Sequence, residues 1–270
     1  MAKAGKPRPI RRLRVLRKEQ LTPHMIRIVA GGEGLRGYQH NEFTDAYVKV
    51  IFPVAGAEYP EPLDLGAIKA ALPREQWPST RTYTVRQYDE LAGELTLDFV
   101  CHGDTGLAGP WAAAAAPGDE LLLSGPGGAY APDPAADWHL LVGDESALPA
   151  IGAALEAMPP GALVHAFVLV EDAAERQSLS TKADAQVRWL HRSAGEDLVG
   201  AVRELEFPAG DVQPFVHGEA GFVRELRRYL LTERGVAKER LSLSGYWRVG
   251  KNDEEWREEK AAERATERTT

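Results

Sequence analysis

Cysteine is almost absent from this chain. Cys101 is the single cysteine among 270 residues, so no intramolecular disulfide can form. This excludes the secreted domains that disulfides hold together, and we expect a cytoplasmic protein. With 44% hydrophobic residues, the chain can bury a sizeable core without such cross-links.

Long hydrophobic runs and net positive charge are also missing. The longest weakly polar stretch, residues 107–117, is too short to cross a bilayer, and no apolar signal core follows the basic start of the chain. We therefore expect no membrane insertion. A net charge of −8 disfavours general nucleic-acid binding, so we interpret the basic residues 1–20 as the start of an exposed strand.

Familiar metal and hydrolase motifs do not occur. The seven histidines show no H-E-x-x-H spacing, one cysteine cannot build a cluster, and there is no G-x-S-x-G elbow. A literal G-x-G-x-x-G is present at residues 32–37, but no convincing helix follows it. A dinucleotide site needs a helix N-terminus at that point, so we interpret this match as a turn between strands.

Two patterns divide what the chain does contain. Residues 10–126 hold short runs of β-branched and aromatic residues separated by turn formers, and residues 94–102 alternate as in a half-buried strand, which predicts an antiparallel barrel. Beyond about residue 133, continuous apolar runs alternate with helical segments, which predicts a parallel α/β sheet. We predict two domains, residues 1–132 and 133–270, the second ending in a charged helical tail.

The segment RTYTVR at residues 81–86 combines two arginines with an aromatic ring. Tyrosine and threonine favour strands, so the segment could be a polar strand with no further role. Guanidinium groups, however, bind phosphate bidentately, and a tyrosine ring offers a flat stacking surface.

This segment resembles the R-x-Y-T-x-R flavin motif of the siderophore-interacting proteins, which are FAD-dependent ferric-siderophore reductases with a ferredoxin-reductase-like fold. The resemblance implies that Arg81 contacts phosphate, Tyr83 packs on the isoalloxazine and Thr84 lies near the flavin N5, with Arg86 also binding FAD. Strict alternation would place Thr84 on the face opposite Arg81 and Tyr83, so we expect the strand to end or twist there.

Residues 98–112 (DFVCHGDTGLAGPWA) indicate a strand, a glycine-rich loop and a helix start. Such a loop can aim backbone N–H groups at a diphosphate, although an ordinary connection would explain the glycines alone better. The run is similar to a second segment of the same family, except that Leu107 replaces a proline and Gly109 a serine. The resemblance adds these FAD-binding candidates: Asp98, Val100, His102, Ala108, Gly109 and Trp111.

Three later segments resemble the nicotinamide-nucleotide domain of that family. Residues 143–151 (GDESALPAI) follow a predicted strand, and ligands bind at such strand ends. We expect Ser146 to cap the next helix, and Asp144 and Glu145 to face flavin, nicotinamide or solvent rather than pyrophosphate. Residues 217–220 (HGEA) are expected either to line the cleft or to form a strand-end turn. Residues 245–250 (GYWRVG) add Tyr246 and Trp247 as cofactor-binding candidates, although packing alone would also explain both.

Three cations are candidates for a basic substrate site. An anionic ferric siderophore would be held by such a patch, and we assign Lys49, Arg248 and Lys251 to it. The alternative is three unrelated surface cations.

The resemblance as a whole implies an N-terminal antiparallel FAD-binding β-barrel followed by a C-terminal parallel-sheet nicotinamide-nucleotide domain. NADH or NADPH would supply electrons through FAD to a ferric siderophore, with no residue acting as acid or base. Two alternatives remain: a flavin reductase serving a protein acceptor such as a ferredoxin or an oxygenase, and a non-catalytic siderophore carrier. We expect a monomer. No residue for the ribose 2′ position can be placed from the sequence, which leaves NADH and NADPH both open.

Overall fold

The computed structural model describes residues 9–103, 106–252, 255–256, 258–260 and 262. Asp104 and Thr105 of the glycine-rich loop, and the basic residues before position 9, lie outside this range. The chain divides into two compact units, with the boundary between Ala131 and Pro132. Among the helices in this range, none is both long enough and apolar enough to cross a membrane.

The first unit is a closed antiparallel barrel, which confirms the predicted fold class. Its six strands follow the order β1-β2-β5-β4-β3-β6. Helix α1 (Leu65–Ala71) precedes β4, and helix α2 (Ala108–Ala114) follows β5. The strand bounds are Ile10–Thr22 for β1, Met25–Gly31 for β2, Tyr47–Phe52 for β3, Ser79–Asp89 for β4, Glu94–Val100 for β5 and Glu120–Gly127 for β6.

Strand β5 is buried on both faces, and not on one as its alternation suggests. Leu95, Leu97 and Phe99 fill the barrel interior, but Asp98 on the opposite face is only 4% exposed. The guanidinium of Arg27 on β2 covers it, donating to both carboxylate oxygens at 2.7 and 2.8 Å. The alternating pattern therefore predicted that Asp98 is exposed, whereas its ion pair with Arg27 allows it to be buried.

Arg11 on the basic strand β1 is held by backbone carbonyl groups of the barrel unit. Arg11 donates to the carbonyl oxygens of Gly34, Arg36 and Gly37 at 2.8–2.9 Å, which closes the G-x-G-x-x-G segment as a turn. A Cβ on Gly34 would lie 1.9 Å from the carbonyl oxygen of Arg12, so this turn packs directly on β1. The glycine pattern here serves a close backbone approach and not a dinucleotide.

The second unit is a five-stranded parallel sheet in the order β11-β10-β7-β8-β9, also as predicted. Counted along the chain this order reads 3-2-1-4-5 from β9 to β11, with the reversal between β7 and β10. The bounds are Trp138–Asp144 for β7, Leu163–Val170 for β8, Asp184–His191 for β9, Val212–Glu219 for β10, Ser242–Trp247 for β11, Leu148–Ala157 for α3, Leu198–Arg203 for α4 and Ala220–Arg228 for α5. A π-helical turn, Tyr229–Glu233, extends α5.

Three local features are not apparent from the sequence, and one of them, the cap of α3, differs from our expectation. Strand β6 continues through the glycine-rich residues 125–127, where Gly127 lies against Tyr47 and a Cβ would be 2.4 Å from its ring. Helix α3 has Ala147 at its N-cap, since the Ser146 hydroxyl donates to Asp144 instead. In the tail, Trp256 is buried.

The close packing of Gly143 on β7 yields a stability prediction. A Cβ there would lie 2.6 Å from the Ala147 Cβ and 2.9 Å from the carbonyl oxygen of His217, which is paired backbone and cannot move aside. We expect Gly143→Ala to lower the free energy of unfolding by about 1–3 kcal/mol, measured by urea denaturation.

The control is Gly66→Ala in α1, where the nearest atom is the flexible carboxylate of Asp64, 3.1 Å from the added Cβ. This variant should keep or slightly raise the stability, because alanine restricts the unfolded chain. Equal stability of the two variants would contradict the packing argument.

Candidate functional site

Strand β4 carries the motif RTYTVR along the barrel wall. Tyr83 pairs with Val48 and Thr84 with Tyr47, so the two side chains point to opposite faces, as expected from alternation. The strand does not end at Thr84 but continues to Asp89. Its irregularity comes later, as a register shift between Val85 and Gln87 that places Arg86 in a bulge.

A chain of aromatic rings joins this strand to helix α2. The ring centroids of Tyr83 and Phe99 are 4.2 Å apart, those of Phe99 and Trp111 5.5 Å, and those of Trp111 and Phe52 5.9 Å. Tyr83 on β4 and Trp111 on α2 are thereby brought to the same end of β5. The sequence assigned both residues to one site, and the structure places them together through Phe99.

Among the residues that the structure describes, no side chain caps the start of helix α2. Leu107 occupies the N-cap position, and its side chain has no oxygen to accept from the first-turn N–H groups. Gly109 packs against the end of β5, where a Cβ would lie 3.3 Å from the Val100 carbonyl oxygen and the Cys101 Cα. Glycine thus lets the helix start lie against the strand, and the unpaired first-turn amides suit a phosphate. Burial raises the pKa of the Cys101 thiol, which makes a nucleophilic role there unfavourable.

These features fit a flavin dinucleotide. A cavity of about 290 Å³ lies against α2, with Phe52, Leu107 and Trp111 in its wall. Tyr83 and the arginines of β4 do not line this cavity. A stacking ring, amides at a helix start and arginines are nevertheless the kinds of group that match an aromatic ring system joined to a diphosphate.

Two of the predicted FAD-binding residues are placed differently from the rest. Both carboxylate oxygens of Asp98 are held by Arg27, so this side chain belongs to the barrel wall. His102 is exposed, and its ring lies 6.2 Å from that of His24 in the turn between β1 and β2.

Asp144 lies at the carboxyl end of β7 and is 1% exposed. Its carboxylate accepts hydrogen bonds from the Ser146 amide (2.9 Å) and hydroxyl (2.5 Å), the Glu219 amide (2.8 Å) and Nε1 of Trp247 (2.9 Å). Burial raises the pKa of Asp144, and the bonds from Ser146 and Trp247 oppose that shift. Asp144 therefore joins the ends of β7, β10 and β11 and does not face solvent.

Glu145 forms a cluster with two residues that sequence reasoning missed. Arg192, just after β9, donates from Nη1 and Nη2 to the two Glu145 oxygens at 2.8 and 2.9 Å. The same Nη1 lies 2.9 Å from Oε2 of Glu171, just after β8. We call these residues the 145–171–192 cluster. The signal that could have found them is position, because each follows the carboxyl end of a predicted strand.

Tyr246 is held by a buried histidine. Its hydroxyl lies 2.8 Å from Nδ1 of His217, whose Nε2 lies 2.9 Å from the Ser242 hydroxyl. The His217 ring stacks on Phe215 with centroids 3.8 Å apart. The HGEA segment thus combines a packed histidine with Glu219, whose carboxylate caps α5.

The three candidate substrate cations all have partners. Nζ of Lys49 donates to the Thr82 hydroxyl at 2.6 Å. In the second unit, Arg248 lies 2.9 Å and Lys251 3.5 Å from the carboxylate of Glu259. The structure therefore brings Arg248 and Lys251 together around one carboxylate, and Lys49 belongs to the barrel unit.

Two family models match this chain. Residues 14–130 match the siderophore-interacting FAD-binding domain, and residues 136–250 match the siderophore-interacting protein model. Together they account for most of both units.

Curated relatives extend over almost the whole chain. An uncharacterized protein of Mycobacterium tuberculosis is 44% identical over 274 residues, covering 94% of this chain and 96% of its own. The ferric vibriobactin reductase of Vibrio cholerae is 36% identical, covering 93% of each chain. The NADPH-dependent ferric-chelate reductase of Escherichia coli is 35% identical, covering 88% of this chain and 92% of its own.

Solved structures show the same architecture. A siderophore utilization protein from T. fusca superimposes with a TM-score of 0.78 at 37% identity, covering 92% of this chain and 95% of its own. At 16% identity, the ferredoxin reductase of a carbazole 1,9a-dioxygenase has a TM-score of 0.64, which shows the ferredoxin-reductase-like fold alone.

The burial of His217 predicts a pH dependence. Desolvation lowers the pKa of His217 to about 3 from 6.5, and the nearby Lys260 charge acts in the same direction. Between these values the unfolded chain binds a proton that the folded chain does not, so stability falls as the pH falls through this window. The contribution is at most about 1.4 kcal/mol per pH unit.

We expect His217→Gln to flatten the dependence of unfolding free energy on pH between about 6.5 and 3, measured by denaturant titration at a series of pH values. His102→Gln, which removes an exposed histidine of the barrel unit, is the matched control and should keep the wild-type slope. An unchanged slope in His217→Gln would contradict the buried neutral state.

Proposed function

The chain belongs to the siderophore-interacting protein family, and from this premise we propose that it is an oxidoreductase that reduces ferric siderophores with FAD and NADH or NADPH. The observation that carries the proposal is the meeting of Tyr83, Trp111 and the uncapped start of α2 at the end of β5. The relatives named as ferric vibriobactin reductase and NADPH-dependent ferric-chelate reductase support the reaction class.

The barrel unit would hold the flavin with residues of β4 and α2. Arg81 and Arg86 supply cations for the diphosphate, and the amides of Ala108 and Gly109 at the start of α2 supply neutral donors. Tyr83 offers a ring face for the isoalloxazine, whereas Thr84 points to the other face of β4 and is 7% exposed. FAD, when bound, supplies the conversion of a two-electron donor into single-electron transfer, so no acid or base residue is required.

The second unit would bind the nicotinamide nucleotide at the carboxyl ends of β7 and β10. This is where the strand order reverses, and ligands of open parallel sheets bind at such points. Asp144 fixes the backbone there by accepting from the Glu219 amide and from Trp247. Asp144 acts as a positioning residue, since both of its carboxylate oxygens already accept hydrogen bonds from the protein.

Lys49, Arg248 and Lys251 would attract an anionic ferric siderophore. Reduction of iron(III) to iron(II) weakens its hold on hard oxygen ligands, which promotes release. We place this reaction in the cytoplasm, where a protein with one buried thiol needs no oxidative folding.

One observation favours a second candidate function, electron transfer from the flavin to a protein acceptor. Glu259 neutralises the cations of Arg248 and Lys251 in part, which makes that surface less basic than the residues alone suggest. Reduction of a ferredoxin or an oxygenase, with no reduction of ferric siderophores, would favour this candidate.

The flavin assignment is tested by the double variant Arg81→Ala/Tyr83→Ala. We expect the purified wild-type protein to be yellow, and its flavin bands to bleach anaerobically with NADH or NADPH. The double variant should lose most of its bound FAD, because it lacks the phosphate cation and the stacking ring. Absorbance at the flavin maximum, relative to protein, measures occupancy.

Arg36→Ala is the control, because this arginine of the same unit is 80% exposed. It should keep the wild-type flavin content. Full flavin content in Arg81→Ala/Tyr83→Ala would contradict the assignment of the flavin site. A wild-type protein that takes up no added FAD would contradict the proposed enzymatic function.

The substrate patch is tested by Lys49→Ala/Arg248→Ala. We expect KM for an anionic ferric siderophore to rise about tenfold, as expected when two attractive charges are lost, while flavin bleaching by NADH or NADPH keeps its rate. The control Arg36→Ala/Arg188→Ala removes two exposed cations elsewhere. If siderophore reduction and flavin bleaching were slowed equally, Lys49 and Arg248 would have structural roles.

A further inference from the structure

The arrangement of the second sheet locates the ribose 2′ position of a dinucleotide. Its order is 3-2-1-4-5, with β7 first and β8 second. In dinucleotide-binding sheets of this kind, an acid roughly 20 residues beyond the first βα turn accepts from the 2′-hydroxyl of NADH, or a nearby arginine accommodates the 2′-phosphate of NADPH. Glu171 is the residue that follows β8, and Arg192 lies beside it.

The arginine of the 145–171–192 cluster is already occupied. Glu145, only 7% exposed, accepts from Nη1 and Nη2 of Arg192, and Glu171 accepts from Nη1 as well. One cation thus faces two carboxylates, so the cluster carries a net charge of −1. Glu171 is 44% exposed and keeps an oxygen available to a ligand.

The surrounding segments are also acidic. The segments 171–176 and 191–197 together contain five carboxylates and two arginines. The second arginine, Arg176, donates from Nε to Nε2 of His191, which itself lies 3.1 Å from Glu196. A dianionic phosphate would meet a negative environment here, whereas a ribose diol would meet an acceptor.

We propose that the 145–171–192 cluster selects NADH over NADPH, with Glu171 accepting from the ribose hydroxyls and repelling a 2′-phosphate. This rests on the proposed use of a nicotinamide donor and adds the identity of that donor. Glu145 is the positioning residue, because its bidentate pairing with Arg192 fixes the guanidinium beside Glu171.

The test compares Glu171→Gln with wild type, using the flavin-loaded full-length protein. The probes are ADP-ribose and 2′-phospho-ADP-ribose, which differ only at the 2′ position and cannot reduce the flavin. Calorimetry should show wild type binding ADP-ribose more tightly. In Glu171→Gln the ratio of the two affinities should move toward the phosphorylated ligand by about tenfold or more, because a like charge has gone and Arg192 is partly released. The ratio of kcat/KM for NADH and NADPH should move the same way.

Glu206→Gln is the matched control. It removes one exposed carboxylate from the loop that leads into the amino end of β10, at the opposite edge of the sheet, and should keep the wild-type ratio. The inference is overturned if wild type prefers the 2′-phosphorylated ligand, or if the ratio is unchanged in Glu171→Gln. Neither result contradicts the proposed use of a nicotinamide donor. Failure of wild type to bind either probe, with no bleaching by NADH or NADPH, overturns the proposed donor and the inference together.

Discussion

The carboxylate of Asp144 is the contact on which the carboxyl edge of the second sheet depends. A parallel sheet has no turn joining adjacent strands, so its edge needs other links to keep a fixed shape. Asp144 provides them by accepting from its own loop, from the Glu219 amide after β10 and from Trp247 on β11. The raised pKa of Asp144 records the cost of burying this group, and four hydrogen bonds offset that cost.

Buried carboxylates play the same part elsewhere in both units. Asp98 is covered by Arg27, and Glu145 by Arg192. A buried carboxylate without a partner is strongly unfavourable, so each acid that the motifs singled out is paired inside its own unit. The groups that we propose to meet a ligand are of another kind: ring faces, backbone amides at a helix start, and the arginines of β4.

Pairing also changes how the basic residues should be understood. Arg11 closes a backbone turn, and Glu259 shares the charges of Arg248 and Lys251. Partly screened cations give weaker and more salt-dependent attraction than free ones. A substrate site built on these paired cations would favour a ligand with well-placed negative groups. In the 145–171–192 cluster, pairing likewise makes Arg192 part of an acidic surface, and not a group that binds phosphate.

Sequence alone determined the two-part architecture and the family, and it singled out RTYTVR as the candidate flavin motif. Strand alternation, continuous apolar runs and the RTYTVR segment are local features, and a local pattern is readable wherever neighbours in the chain are neighbours in space. Only the tertiary structure decided what Asp98, Asp144 and Glu145 do, and that Glu171 and Arg192 belong with them. Their partners come from other strands, and a hydrogen bond between distant segments leaves no periodicity in the sequence that could reveal it.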